Sequence, residues 1–210
     1  MKKLMSLMLS AAMIIAMASL AMAADYSSST SGTSGSNGFS GTPAVVSSSS
    51  VTQAVTAGGS VTVTENAVIT QNVVQSIAAA TQPVTFTAPN FTATINPATI
   101  TTAQNISLGA LPANTSVESL FSQFFTNSFA SVQLAQQGAF GATVQFTIAP
   151  TNLGSLNTAN NLLFYSYDQV TNSYTRIAAP AYTVNANGSL TFSTTLGNTI
   201  IITDGPITAR

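Results

Sequence analysis

Acid–base chemistry in this 210-residue chain rests on few groups: five carboxylates, four basic side chains, and neither histidine nor cysteine. A Ser–His triad, a cysteine nucleophile, an imidazole or thiolate metal site and a disulfide are therefore all ruled out. The carboxylates are Asp25, Glu65, Glu118, Asp168 and Asp204. Glycoside hydrolysis would need two of them about 5–10 Å apart. Glu118 has a local role as a helix cap, and Asp168 and Asp204 stand beside turn residues, where aspartate is common. The sequence has no phosphate-binding glycine loop, no dinucleotide fingerprint and no EF-hand loop. It therefore reads as non-enzymatic, without catalytic, metal-binding or cofactor-binding residues and without a cofactor. The side chains left with binding chemistry are Tyr165, Tyr167, Tyr174 and Tyr182, whose rings could stack on sugars. Tyrosines are also ordinary constituents of β-sandwich cores and edges.

Charge narrows the partners. Only 4% of the residues are charged, against about 25% in a typical soluble domain. From Ala24 onward the only cations are Arg176 and Arg210, too few to neutralise a row of phosphates or to hold an anionic membrane. Nucleic acid and membrane surface are thus not expected partners. Weak self-repulsion makes contact between copies inexpensive.

The elements that would position the tyrosines follow a leader and a tether. Lys2 and Lys3, the apolar run Leu4–Leu20 and the small residues of Ala21-Met22-Ala23 form a signal peptide over 1–23, with cleavage expected after Ala23. Residues 24–59 are rich in Ser, Thr and Gly and read as a flexible linker, in which Val45, Val46 and Val51 are the apolar exceptions. Residues 60–210 read as one β-rich domain.

Within that domain Val61–Thr64 alternates as a strand, and Thr70 precedes a short helix whose Val73, Val74, Ile77 and Ala78 share a face. Thr-x-Thr recurs at Thr85/Thr87, Thr92/Thr94 and Thr99/Thr101. Such rows suit a lattice-matching surface such as one that binds ice. Seven residues is too short for a β-helix coil, so solvent-facing threonines on ordinary strands are expected instead. Thr115 and Glu118 spell a capping box for a helix over 116–127, with Val117, Leu120, Phe121, Phe124 and Phe125 on one stripe. Burying its three Phe and one Leu would contribute about 6–12 kcal/mol before entropy, so this helix must dock on the sheet. Val144, Phe146 and Ile148 alternate with Thr143, Gln145 and Thr147 in a half-buried strand. Residues 161–203 supply further strands: a hairpin turning at 168–173, a second at Asn187-Gly188, and a buried closing strand at Ile200-Ile201-Ile202. The fold class is mainly β with one or two short helices (α+β), an antiparallel β-sandwich-like domain behind a disordered tether.

Residues 121–127, 136–141, 161–177, 187–192 and 200–204 together resemble a C-terminal β-rich module of secreted proteins from anaerobic Gram-positive bacteria, many of gut or rumen. The similarity spans about Thr99 to Thr208. It implies an extracellular or cell-surface location and a β-rich architecture, in a chain with less Lys and Asp than usual members carry.

The function expected from these readings is a secreted, non-catalytic structural or adhesive module of a surface, matrix or fibre, partnered by its own copies or other extracellular proteins. The alternatives are a carbohydrate-binding module that uses the four tyrosines on polysaccharide, and a cohesin-like protein-binding module. The last rests on Val-Thr-Ala-Gly-Gly-Ser-Val-Thr-Val at 55–63.

Overall fold

The computed structural model describes residues 39, 41–112, 119, 121–122, 127–168, 173–178 and 180–206. The expected signal peptide, the expected tether up to residue 38, and Thr115 and Glu118 of the expected capping box lie outside them, as do Val117, Leu120, Phe124 and Phe125. The described elements run β1 (Ala44–Val45), α1 (Ser48–Ala57), β2 (Ser60–Thr62), β3 (Ala67–Ile69), α2 (Gln71–Ala78), β4 (Val84–Thr87), β5 (Phe91–Ile95), β6 (Ile106–Leu108) and β7 (Ala110–Pro112). They continue with β8 (Phe129–Leu134), β9 (Ala139–Ile148), β10 (Leu163–Asp168), β11 (Ser173–Arg176), β12 (Tyr182–Val184), β13 (Leu190–Leu196) and β14 (Thr199–Thr203). Short 3-10 turns lie at Pro97–Thr99 and Pro150–Asn152.

Three sheets form. Sheet A is β1-β3-β6, sheet B is β12-β13-β9-β5-β4-β2, and sheet C is β11-β10-β14-β8-β7. Pairing is antiparallel except for β1 with β3 and β2 with β4. Sheets B and C face each other across an aromatic core, because period-2 alternation turns their large residues inward. On sheet B the rung Val61–Phe86–Ala93–Phe146–Phe192 is buried throughout. Phe192 stacks on Phe146 at 6.1 Å and reaches across to Phe164 of sheet C at 5.5 Å. The fold is thus mainly β and sandwich-like, with short helices.

The expected tether boundary moves. Residues 44–57, read as flexible linker, hold β1 and α1. Helix α1 buries Val51 and Ala54 one turn apart, and Val46 is buried just before it. It stops at Gly58, whose φ of 66° lets the Gly59 N–H reach Ala54 O at 2.9 Å. A few apolar groups plus a glycine stop outweigh the serine-rich composition. The phrase at 55–63 is split accordingly, part helix end and part β2.

Helix α2 forms where expected, yet Thr70 does not cap it: its hydroxyl makes no cap bond and is buried without a partner among the described residues. Asn105, far along the chain, accepts the Gln71 N–H at 2.7 Å instead. The β12–β13 hairpin also forms, but only Gly188 (φ 80°) is left-handed, not Asn187. The loop spans Asn185 to Ser189, closed by Gly188 N–H to Asn185 O and Asn185 N–H to Ser189 O, both 2.9 Å. Asp168 and Arg176, on the two strands of one hairpin, are separated by the β10–β11 register, with Asp168 opposite Ser173 and Arg176 opposite Tyr165. Their rungs are three steps apart, an odd offset, so they occupy opposite faces.

Candidate functional site

The outer faces of the two large sheets carry what chemistry the fold presents, and they differ sharply. On sheet B the outward residues are Ser, Thr and Gln. Register alone aligns them: Thr62 pairs with Thr87, Thr87 with Thr92, Thr92 with Thr147, Thr147 with Thr191 and Thr191 with Thr183. One unbroken row of threonine therefore crosses all six strands. The next row reads Ser60, Thr85, Thr94, Gln145, Ser193. None of these residues is buried, and none is charged. Neighbouring hydroxyls bond across strands, Thr85 to Thr94 at 3.0 Å and Thr147 to Thr191 at 2.8 Å.

The recurrence visible in the sequence captured only part of this row. Thr85/Thr87 and Thr92/Thr94 face each other on the β4–β5 hairpin, whereas Thr99 sits in a 3-10 turn and Thr101 in a bend. The missing partners, Thr62, Thr147, Thr191 and Thr183, lie on strands distant in sequence, and only the sheet order β12-β13-β9-β5-β4-β2 brings them into line. The row is also not a planar lattice. Adjacent strands rotate by about 20–25°, so a six-stranded sheet turns through roughly 100° from edge to edge.

Sheet C turns aromatic residues outward and covers them. Phe121, helical like Ser119 and Ser122, is fully buried against Tyr167 and Ile201, with Phe129 and Tyr165 packed around them. Its ring meets Tyr167 edge-on at 5.0 Å and Phe129 at 6.4 Å. This is why Thr199–Thr203 is buried along its whole length: sheet B lies on one side and Phe121 on the other. The expected docking of the Phe-rich helix on the sheet is met at this residue.

The four tyrosines divide accordingly. Tyr167 is 5% exposed and Tyr165 half-buried, both in the Phe121 cluster. Tyr182 packs on Phe164 at 5.4 Å, and its Oη accepts the Leu162 N–H at 3.1 Å. Tyr174 on edge strand β11 is 37% exposed and lies on Tyr167 at 4.8 Å. Burial, then the neighbouring Tyr167, pushes its phenol above the ordinary value. Tyr165, Tyr167 and Tyr174 share one face of the β10–β11 pair, while Tyr182 belongs to sheet B. The four do not form one stacking platform.

The described carboxylates are also dispersed. Asp204 follows Thr203, which pairs with Leu163 at one end of β10, and Asp168 ends that strand. At about 3.4 Å per residue the two lie on the order of 17–20 Å apart, beyond the spacing of a glycosidase pair. Glu65 accepts a hydrogen bond from the Asn90 amide, and Asp204 accepts one from Asn160 at 3.4 Å. Among the described residues no three His, Cys, Asp or Glu gather as a metal site, and no helix is long and apolar enough to cross a membrane.

The chain matches no protein-family model, no curated protein and no solved structure.

Proposed function

We propose that this chain is a secreted, non-catalytic structural or adhesive module that works by contact between copies through the outer face of sheet B. The observation that carries this reading is the threonine row across all six strands. Its uncharged surface offers a second copy no charge to repel and little to desolvate at high cost. Sparse charge over the rest of the chain and the leader at 1–23 support the same reading.

Magnitude sets the kind of contact. Six strands about 4.8 Å apart, averaging about five residues in length at about 3.4 Å per residue, give a face on the order of 400 Å². A stable pair buries about 800 Å² per partner. Two copies alone therefore associate weakly, and many copies held in an array sum their contacts. Sedimentation velocity of the chain beginning at Ala24 is expected to show reversible association above about 0.1 mM. A single monomer boundary at every concentration would overturn the reading.

A further inference from the structure

The outer side of sheet C holds a second feature, apart from the threonine row. Among the described residues β7 pairs with Val132–Leu134, and Phe129–Ser131 of β8 run on past its last described rung. Beside them lies a cavity of about 500 Å³, walled by the helical Ser119 and Ser122, by Phe129 and Ser131, and by Asn152 and Ser155. Ser119, Ser122 and Ser155 are exposed, which puts its mouth at the surface, and Phe129 is half-buried in its wall.

Ser131 distinguishes this cavity from a chance hollow. It is 2% exposed, and its Oγ is buried with no hydrogen-bond partner among the described residues. A buried hydroxyl without a partner is costly and uncommon in a folded protein. The other polar groups are held in place: Ser122 Oγ donates to Ser119 O at 2.8 Å, and Asn152 Nδ2 donates to Asn90 O at 3.4 Å. Asn152 thus keeps its Oδ1 as an acceptor, and Ser122 keeps its lone pairs.

We infer that this cavity binds a neutral sugar unit, with Ser131 as its buried hydrogen-bonding partner and Phe129 against the ring's C–H face. No charged side chain is among the described residues lining it, so neither a uronic acid nor an amino sugar would find a counter-charge there. Hydroxyls and an amide that both donate and accept match a polyol, and one apolar wall matches the faces of a pyranose. No threonine of the sheet B row lines the cavity, so this binding and the association of copies stand or fall separately.

The test is titration of the full chain from Ala24, followed by NMR, with methyl glycosides of glucose, galactose and mannose, and with galacturonate and glucosamine as charged probes. At least one neutral glycoside is expected to saturate in the millimolar range, and both charged probes to bind about tenfold more weakly or not at all. Ser131→Ala is expected to weaken that binding about fivefold or more while leaving Tm unchanged or raised, because it removes an unpaired buried hydroxyl. Asn152→Ala, at another lining residue, is expected to weaken that binding as well. No saturation by any neutral glycoside up to about 20 mM, equal binding of a charged probe, or undiminished binding by Ser131→Ala would overturn the proposal.

Discussion

The two outer faces of this sandwich solve the same geometric problem in opposite ways. Each is the side of a sheet turned from the shared core, and each is set by alternate residues of its strands. On sheet C those residues include Tyr165, Tyr167 and Ile201, and Phe121 closes over them. On sheet B they are threonines in register, left at the surface. The contrast lies in what covers each face: beneath Phe121, sheet C's outer face belongs to the core, whereas sheet B's contributes little to folding and can serve contact between copies.

Substitutions can break this comparison. Phe121→Ala removes the ring over Tyr167 and Ile201 and is expected to cost about 3–5 kcal/mol, read by urea unfolding. Thr147→Ala, at the middle of the threonine row, is expected to cost under about 1 kcal/mol in the same experiment. Equal losses would mean that the two faces do not differ as described. Tyr182→Phe is expected to fall between them, at about 1–3 kcal/mol, because it strands the Leu162 N–H that Oη accepts.

The smallest effect is one of pH. Burial, with the neighbouring Tyr167 adding to it, favours the neutral phenol of Tyr174 in the fold. The folded value is raised, so the stability it contributes is fully present below the ordinary phenol value of 10.0 and is lost as pH rises through the folded value. Phenolate absorbance is expected to lose a late-titrating component in Tyr174→Phe relative to the wild type.

Much of the framework was legible from local pattern. The strand holding Val144, Phe146 and Ile148 declares itself by period-2 alternation, the strand pairs at 163–168/173–176 and 182–184/190–196 by their turn residues, and the buried Ile200–Ile202 by its continuous apolar run. What was hidden depends on partners distant in sequence. Helix α1 is serine-rich, and its fold depends on burying Val51 and Ala54 rather than on composition. Asn105 takes the place of a Thr70 cap at the head of α2, accepting the N–H of Gln71, 34 residues away. The threonine row could not be read because Thr92 and Thr147 become neighbours only through the β5–β9 pairing. The division among the tyrosines was equally hidden, since it depends on tertiary packing: Tyr167 and Tyr182 fill the fold, and Tyr174 keeps the most exposure of the four. The unpaired Ser131 hydroxyl leaves no mark in sequence, since it depends on which groups fail to approach it.

The most direct test places charge at the centre of the row. The double variant Thr92→Lys, Thr147→Lys sets two like charges on paired positions of β5 and β9. Sedimentation velocity from about 10 μM to about 1 mM is expected to show reversible association of the wild-type chain and a single monomer boundary for the variant. The variant's Tm is expected to stay within a few degrees of the wild type's. Association of the variant equal to that of the wild type would contradict the account, and so would a wild-type chain that stays monomeric throughout.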